Sequence, residues 1–389
     1  MKNPTTTILN LLLFEQNKVT QLDLKSFNIQ PEDWDIFYKF VLRHRVWHQI
    51  YHIRQVLNLE SSMQKKLTDH CAQDKLRIIR TAGETVRIAR QFKMHQIEHC
   101  FVKGTVLNQY LYGGINTRSC RDIDVWVSLQ HYEVAVDLLY ALGYQQEYPI
   151  YEIKGFKKTY HFKNKHDIAF YHPERQILVE LHFKLNYLTT HFFPFSAVTV
   201  KPIDLLGEPV MSLEDHYHFL YLIIHGAIHA WIRLRWLQDI ALFIQNKQIN
   251  LSKIFELAEQ IQSVALVEQA LILVFNLFKI QAVKPWIEQS SLRGQKLANL
   301  ASLFIQNDYE MSDALKNPKM FMIHRYYLFK LANPGKKIKA ISSDFLKIDE
   351  VFPYVDFPKS LSFMYYMIYP LWVIRYVYRN TKKILFIRY

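Results

Sequence analysis

Cysteine is scarce: Cys71, Cys100 and Cys120 are the only three in 389 residues. Scattered in this way they make neither a disulfide framework nor a zinc knuckle. The chain has no internal repeat and no low-complexity tract, which gives no ground for a repeat architecture or a flexible low-complexity arm. Its charged fraction is 21% against 50% hydrophobic residues, so no long block reads as disordered. The apolar run from Leu361 to Ile374 is too short to cross a bilayer comfortably and contains Pro370. The opening "MKNPTTTILNLLLFEQ" has an apolar run without a small-residue cleavage site, and it reads as mature sequence of a cytoplasmic protein.

What is present is length, aromatic bulk and uneven charge. A chain of 389 residues predicts two or three packed units. Aromatics make up 15% of it, so large rings are expected to build much of the core. The net charge is +13. From Lys316 to Tyr389 there are 14 Lys and Arg against four acids, a difference of +10, and the remainder is close to neutral. The basic character therefore belongs to the tail.

Hydrophobic periodicity divides the chain into four regions. Residues 1–96 read as helical, from "PEDWDIFYKFVLRHRVWHQIYHIRQVL" through a long amphipathic stretch. Residues 97–205 read as an α/β core. In it "HCFV" and "DIDVWV" are strands, "TVLNQYLYG" and "LQHYEVAVDLLYALGY" are helices, and "KTYHFKN", "HDIAFYH" and "QILVELHFKL" are three further strands. Residues 206–330 return to helices, with Ser212 as N-cap of a long one, and this helical domain is expected to cover the active site. Residues 331–389 form a linker, "LANPGKKIKA", and the basic aromatic tail. The fold class expected is α+β, a mixed sheet with helices embedded between N-terminal and C-terminal helical regions.

The chemistry concentrates around "KGTVLNQYLYGGINTRSCRDIDVWV", residues 103–127. Residues two apart on a strand share a face, so Asp122 and Asp124 point one way while Ile123, Val125 and Val127 point into the core. In "QILVELHF" Glu180 is out of phase with Ile177, Val179, Leu181 and Phe183 and lies on the polar face. Three carboxylates on one sheet face repel unless a dication sits among them. Magnesium prefers oxygen ligands and commonly takes one or two carboxylates plus substrate phosphates. The preceding segment supplies a phosphate end. Gly104 lets the backbone approach an anion, and the helix N-terminus after it offers free N–H groups. Thr105 adds a hydroxyl, and Lys103 and Arg118 add charge.

This ordered set resembles the DNA polymerase beta-like nucleotidyltransferase superfamily. More closely, "FVKGTVL", "TRSCRDIDVWV", "LVELHFKL" and "HGAIHAWIRLRWLQDIA" look like the bacterial nucleotidyltransferase family labelled uncharacterised, over roughly residues 97 to 245. The resemblance implies a mixed sheet with helices on it and two Mg2+ ions. It also implies transfer of a nucleoside monophosphate from an NTP to an unidentified acceptor: a small molecule, a peptide or a protein. By position Gly104 and Thr105 fall on the family's Gly-Ser phosphate loop, Asp122 and Asp124 on its Asp-x-Asp pair, and Glu180 on its third acid. Thr replaces the commoner Ser, and Glu replaces the Asp usual in the superfamily. These departures motivate the alternative, a catalytically inactive nucleotide- or partner-binding regulatory module on the same fold.

Further candidates flank this set. His182 shares a strand face with Glu180 and is expected to orient a carboxylate, to contact nucleotide or acceptor, or to be a simple sheet-face histidine. His218, His225 and His229 share one helical face, with Arg233 continuing it if the helix runs unbroken. They read as contacts to nucleotide or acceptor, as helix-packing histidines, or through the His-x3-His spacing as zinc ligands. Asp239, four residues after Arg235, reads as a helix salt-bridge or capping partner rather than a catalyst. The tail reads either as a helix packed on the domain or as an interfacial anchor on an anionic membrane, which would put the protein at the inner face of that membrane. Nucleic acid is a weaker partner class, because no readout module accompanies the basic tail.

Overall fold

The computed structural model describes residues 31–55, 57, 59–185, 191–307, 309, 317–337 and 347–386, together with residues 4, 7–9 and 12. Most of the expected N-terminal helical run before residue 31 lies outside the described residues, as do residues 338–340 of the expected linker. The chain opens with α1 (Trp34–His44), α2 (Trp47–His52) and the 34-residue α3 (Ser61–Met94). The α/β part follows as β1 (His99–Phe101), α4 (Gly104–Tyr112), β2 (Asp122–Val127), α5 (Tyr132–Ala141), β3 (Gln145–Tyr148), α6 (Gly155–Asn164), β4 (Asp167–His172), β5 (Ile177–His182), β6 (Val200–Leu205) and β7 (Glu208–Leu213). Helices then continue as α7 (Asp215–Ile228), α8 (Leu234–Asn246), α9 (Leu251–Gln260), α10 (Val264–Phe278), α11 (Lys284–Glu288), α12 (Leu292–Gln306), α13 (Pro318–Leu331) and α14 (Met364–Phe386).

The seven strands form one mixed sheet in the order β3-β4-β5-β2-β1-β7-β6. β2 runs parallel to β5 on one side and antiparallel to β1 on the other. β1 is parallel to β7. The alternation of "DIDVWV" is what gives the sheet two distinct faces. Ile123, Val125 and Val127 join Ile168, Phe170, Val179 and Leu181 in a core beneath α3 and α5, which contribute Ile88, Phe92, Ala135 and Leu139. Trp126 faces the opposite side, in a larger core with α7, α8, α10, α12 and α13. The fold class is α+β. Both faces are covered, so the polar residues of β2 and β5 open onto the space left between the sheet end and the α7–α8 region.

Several local expectations are corrected. The stretch "KTYHFKN" is helical, within α6, and not a strand. Its apparent alternation is overridden by packing: Phe156 and Tyr160 stack against Phe352 and Tyr365 from the tail, while His161 is fully buried one turn beyond Lys157. Ser212 lies within β7, and its hydroxyl donates to the Phe101 carbonyl at 2.8 Å; the N-cap of α7 is Glu214, which accepts from the His216 amide. β3, β6 and β7 were not read from the sequence. Asp239 pairs with Arg118 and not with Arg235.

The long helix expected from Ser212 breaks between α7 and α8. Ala230 and Trp231 both adopt left-handed φ, 50° and 54°, and so turn the chain. Trp231 lies flat on Gly226, where an added Cβ would sit 2.2 Å from the ring. Small size at Gly226 is therefore what permits the bend.

The tail makes its own small core. Tyr365 and Tyr369 of α14 pack with Phe352, Val351 and Ile348 against Tyr151. Its opposite side leaves Tyr366, Met367, Leu371 and Ile374 exposed. Among the described residues no helix is long and apolar enough to cross a membrane.

Candidate functional site

Strand register brings the acids together. Asp124 lies directly across from Glu180 on the parallel pair β2–β5, and Trp126 lies across from His182. On the other side of β5, Asp167 of β4 lies across from His182. Asp122, Asp124, Glu180, His182 and Asp167 therefore share one face at one end of the sheet. Asp124 is only 2% exposed and receives the Lys103 ammonium at 2.6 Å. His182 Nε2 stands 3.4 Å from Asp124 Oδ1 and 3.7 Å from Glu180 Oε2.

The two neighbouring carboxyls are driven apart in acidity. Burial alone would raise the Asp124 pKa, but Lys103 and His182 outweigh it and hold this carboxyl well below the usual carboxylate range. Glu180 moves the opposite way, pushed up first by burial and then by the charge of Asp124. Burial opposes a charged His182, yet its bond to Asp124 and the surrounding carboxylates outweigh that penalty and raise its pKa. Such a set recruits positive charge. The donor atoms of Asp124, Glu180 and His182 all lie within 4.8 Å of one another, which suits a single cation. A cation seated there would displace the proton that Glu180 otherwise tends to keep.

The helix start at Gly104 follows immediately from β1. Lys103 is extended, and Gly104 opens α4 with φ at +68°. A Cβ at Gly104 would stand 3.3 Å from the Asp122 carbonyl, so the helix start and the acid strand touch at this glycine. Replacing Gly104 by Ala is expected to destabilise the fold by about 1–2 kcal/mol from the left-handed backbone alone. The loss is read by urea unfolding. Full stability in the variant would show that the close approach is unimportant. Thr105 is buried and turns its hydroxyl to within 3.3 Å of Thr85 Oγ1. Its side chain does not line the cavity.

Arginines wall the other side. Arg118 is engaged by Asp239 with Nε at 2.8 Å from Oδ1 and a terminal nitrogen at 2.8 Å from Oδ2, and the Tyr112 hydroxyl donates to the same carboxylate at 2.8 Å. Its guanidinium is thus committed to a buried pair between the α4–β2 connection and α8. Arg235 donates to the Ser119 carbonyl. Arg45 and Arg233 complete the group around the cavity. Burial, then the charges of Arg233 and Arg121, lower the Arg45 pKa to about 9, which leaves it charged at neutral pH. The broken helix separates Arg233 from the face of His218 and His225, but the bend returns it to the same cavity.

His225, His229 and Trp236 form an aromatic side to this space. The His229 ring stacks on Trp236 at 5.2 Å, and His225 meets His229 at 4.7 Å. Burial keeps both imidazoles neutral, with the His229 pKa lowered to about 3. Neither belongs to a candidate metal-ligand group among the described residues. His218 lies elsewhere: its Nε2 is 2.8 Å from the Val102 carbonyl, and it serves packing.

These walls enclose a cavity of about 600 Å³. It brings Lys103, Gly104, Arg118, Asp122, Asp124, Glu180, His182, His225 and His229 to one place and leaves the Thr105 hydroxyl outside. Sequence reasoning did not single out Arg45, His166, Asp167 or Trp236, which also line it. Asp167 carried a usable signal, since in "HDIAFYH" it is in phase with Ala169 on the polar side. Arg45 carried none, because only the tertiary fold brings α1 to the end of the sheet.

No curated protein matches the chain. A solved structure described as an antigenic nucleotidyltransferase-like protein from Paracoccidioides brasiliensis is 14% identical over 54% of this chain and 92% of that one. Its TM-score is 0.32, too low to carry an argument. Residues 30–279 match the family model described as "Uncharacterised nucleotidyltransferase". That match spans the sheet, the acid strands and the helices α7 to α10 that cover them, and the chain belongs to the uncharacterised nucleotidyltransferase family.

Proposed function

We propose that the chain is a magnesium-dependent nucleotidyltransferase that moves a nucleoside monophosphate from an NTP to an acceptor bound in the same cavity. The observation that carries this reading is the in-register pair Asp124 and Glu180, facing a left-handed glycine at a helix start. Asp122, Asp124 and Glu180 would hold Mg2+. Two such ions, when bound, supply charge to activate an attacking oxygen and to stabilise a leaving pyrophosphate. The chain's own residues bind and orient. Lys103, the amides that open α4 at Gly104 and Thr105, and the guanidinium groups of Arg45 and Arg233 receive phosphate oxygens. Arg118 acts through Asp239, fixing the connection that leads into β2. His225, His229 and Trp236 offer neutral rings against which a base or acceptor can stack, and they keep water from that side.

The test is incubation of the purified chain with each NTP labelled in its α-phosphate, Mg2+ and a cell extract. A labelled product with release of pyrophosphate is the expected result. NTP binding without pyrophosphate release for any acceptor would instead favour the inactive regulatory module.

A second reading concerns location, and rests on the exposed side of α14. Tyr366, Met367, Leu371 and Ile374 are exposed beside Arg375, and Arg379, Lys382 and Lys383 follow on the same helix. Rings at the headgroup level with Lys and Arg among the phosphates suit an anionic membrane. Each basic residue near such a surface contributes about 1 kcal/mol, so four suffice for reversible attachment. Cytoplasmic protein held at the inner face of a membrane is the corresponding location. The chain is expected to co-sediment with anionic vesicles at low salt, and the double variant Met367→Glu, Leu371→Glu to remain in the supernatant. Equal partitioning of both proteins would leave α14 as a packed helix only.

A further inference from the structure

The proposed triad accounts for oxygen ligands and leaves an imidazole at its centre unused. His182 is 2% exposed and lies at the junction of two overlapping ligand groups. One is Asp124, Glu180 and His182; the other is His166, Asp167 and His182. In each group the donor atoms lie within 4.8 Å of one another. The His166 ring stacks beside that of His182 at 5.7 Å and 20°. His182 Nε2 faces Asp124 at 3.4 Å and Glu180 at 3.7 Å, and its Nδ1 is buried with no hydrogen-bond partner among the described residues. A buried imidazole whose Nε2 faces two carboxylates, with Asp167 in the overlapping group, is a mixed nitrogen and oxygen donor set.

Donor chemistry sets the metal class. Magnesium takes oxygen ligands and tolerates nitrogen poorly. Imidazole suits the first-row transition dications, and within that series Mn2+ is the one most suited to carboxylates, so one imidazole among several carboxylates fits the Mn2+ end of the series. We infer that His182 is a nitrogen ligand in this cavity, with His166 and Asp167 beside it, and that the site holds a transition dication of the Mn2+ class in preference to Mg2+. The inference rests on the reading of Asp122, Asp124 and Glu180 as metal ligands and departs from it only in which dication is preferred.

The test is direct titration of the full chain with Mn2+, read as loss of the free-ion electron paramagnetic resonance signal, and then competition by Mg2+. The wild type should prefer Mn2+ by at least about tenfold, and His182→Gln should lower Mn2+ affinity by about 10- to 100-fold while changing Mg2+ affinity far less. Asp167→Asn should shift the Mn2+ to Mg2+ ratio in the same direction, and it decides the matter if His182→Gln does not fold. An unchanged ratio in the folded variants, or no Mn2+ preference in the wild type, overturns the inference. Asp124→Asn separates the two levels of the account. If it abolishes binding of both ions while His182→Gln leaves the ratio unchanged, the metal-site reading stands and the role of His182 falls. If the wild type binds neither ion, both fall together.

Discussion

Replacing Asp124 by Asn is expected to lower the rate of the proposed nucleotidyl transfer by about 1,000-fold or more, since it removes the buried charge that would hold the metal. Asp124 is the most buried of the three acids and lies across from Glu180. Its charge answers Lys103 at 2.6 Å and His182 at 3.4 Å. Asn keeps the shape and loses that charge. Glu180, no longer beside an ionised neighbour, would then lose one cause of its raised pKa. The variant should retain wild-type circular dichroism, because the apolar face of β2, with Ile123, Val125 and Val127, is untouched. The measurement is the initial rate of Mg2+-dependent pyrophosphate release. A folded variant within about tenfold of the wild-type rate would remove the acids from the chemistry.

The largest effect on stability is expected at Arg118. Its guanidinium is 3% exposed and its partner Asp239 is fully buried. Arg118→Ala leaves that carboxylate without its cation and with only the Tyr112 hydroxyl donating to it, and breaking a buried pair in this way costs about 3–5 kcal/mol. The loss should appear as a lower urea midpoint with an unchanged slope. Removing both charges together, as Arg118→Met with Asp239→Leu, should recover much of the stability, because no uncompensated charge is then left buried. Restored stability without restored activity would identify Arg118 as a positioning residue. A destabilisation below about 1 kcal/mol for Arg118→Ala would mean the pair contributes no more than a surface ion pair.

The central strand and its acids were legible because period-2 alternation survives wherever one face of a strand is apolar and the other is not. "DIDVWV" and "QILVELHF" both show it, and the register then pairs Asp124 with Glu180. Gly104 was legible because strand, glycine and helix follow in immediate succession. The strand assigned to "KTYHFKN" failed because the partners that make it a helix, Phe352 and Tyr365, lie almost two hundred residues further on. β3, β6 and β7 are partly exposed, so their apolar signal was weak. The break before Arg233 was hidden because left-handed φ at Ala230 and Trp231 has no local mark, and Gly226 reads only as a helix-tolerated residue. The true partner of Asp239 could not be found from spacing, since Arg118 lies 121 residues away. Local pattern carries the strand faces; the cationic wall of the cavity is assembled by long-range packing.

The central claim is that one cavity, between the acid face of β2 and β5 and the Gly104 helix start, holds an NTP on divalent metal. A crystal structure of the full chain with Mn2+ and a non-hydrolysable NTP tests it most directly. The account predicts an anomalous peak at roughly 2.0–2.2 Å from carboxylate oxygens of Asp122, Asp124 and Glu180, with phosphate oxygens at the Gly104 and Thr105 amides and near Lys103. Nucleotide and metal bound at any other surface, with Asp124 still paired to Lys103 and His182, would contradict it.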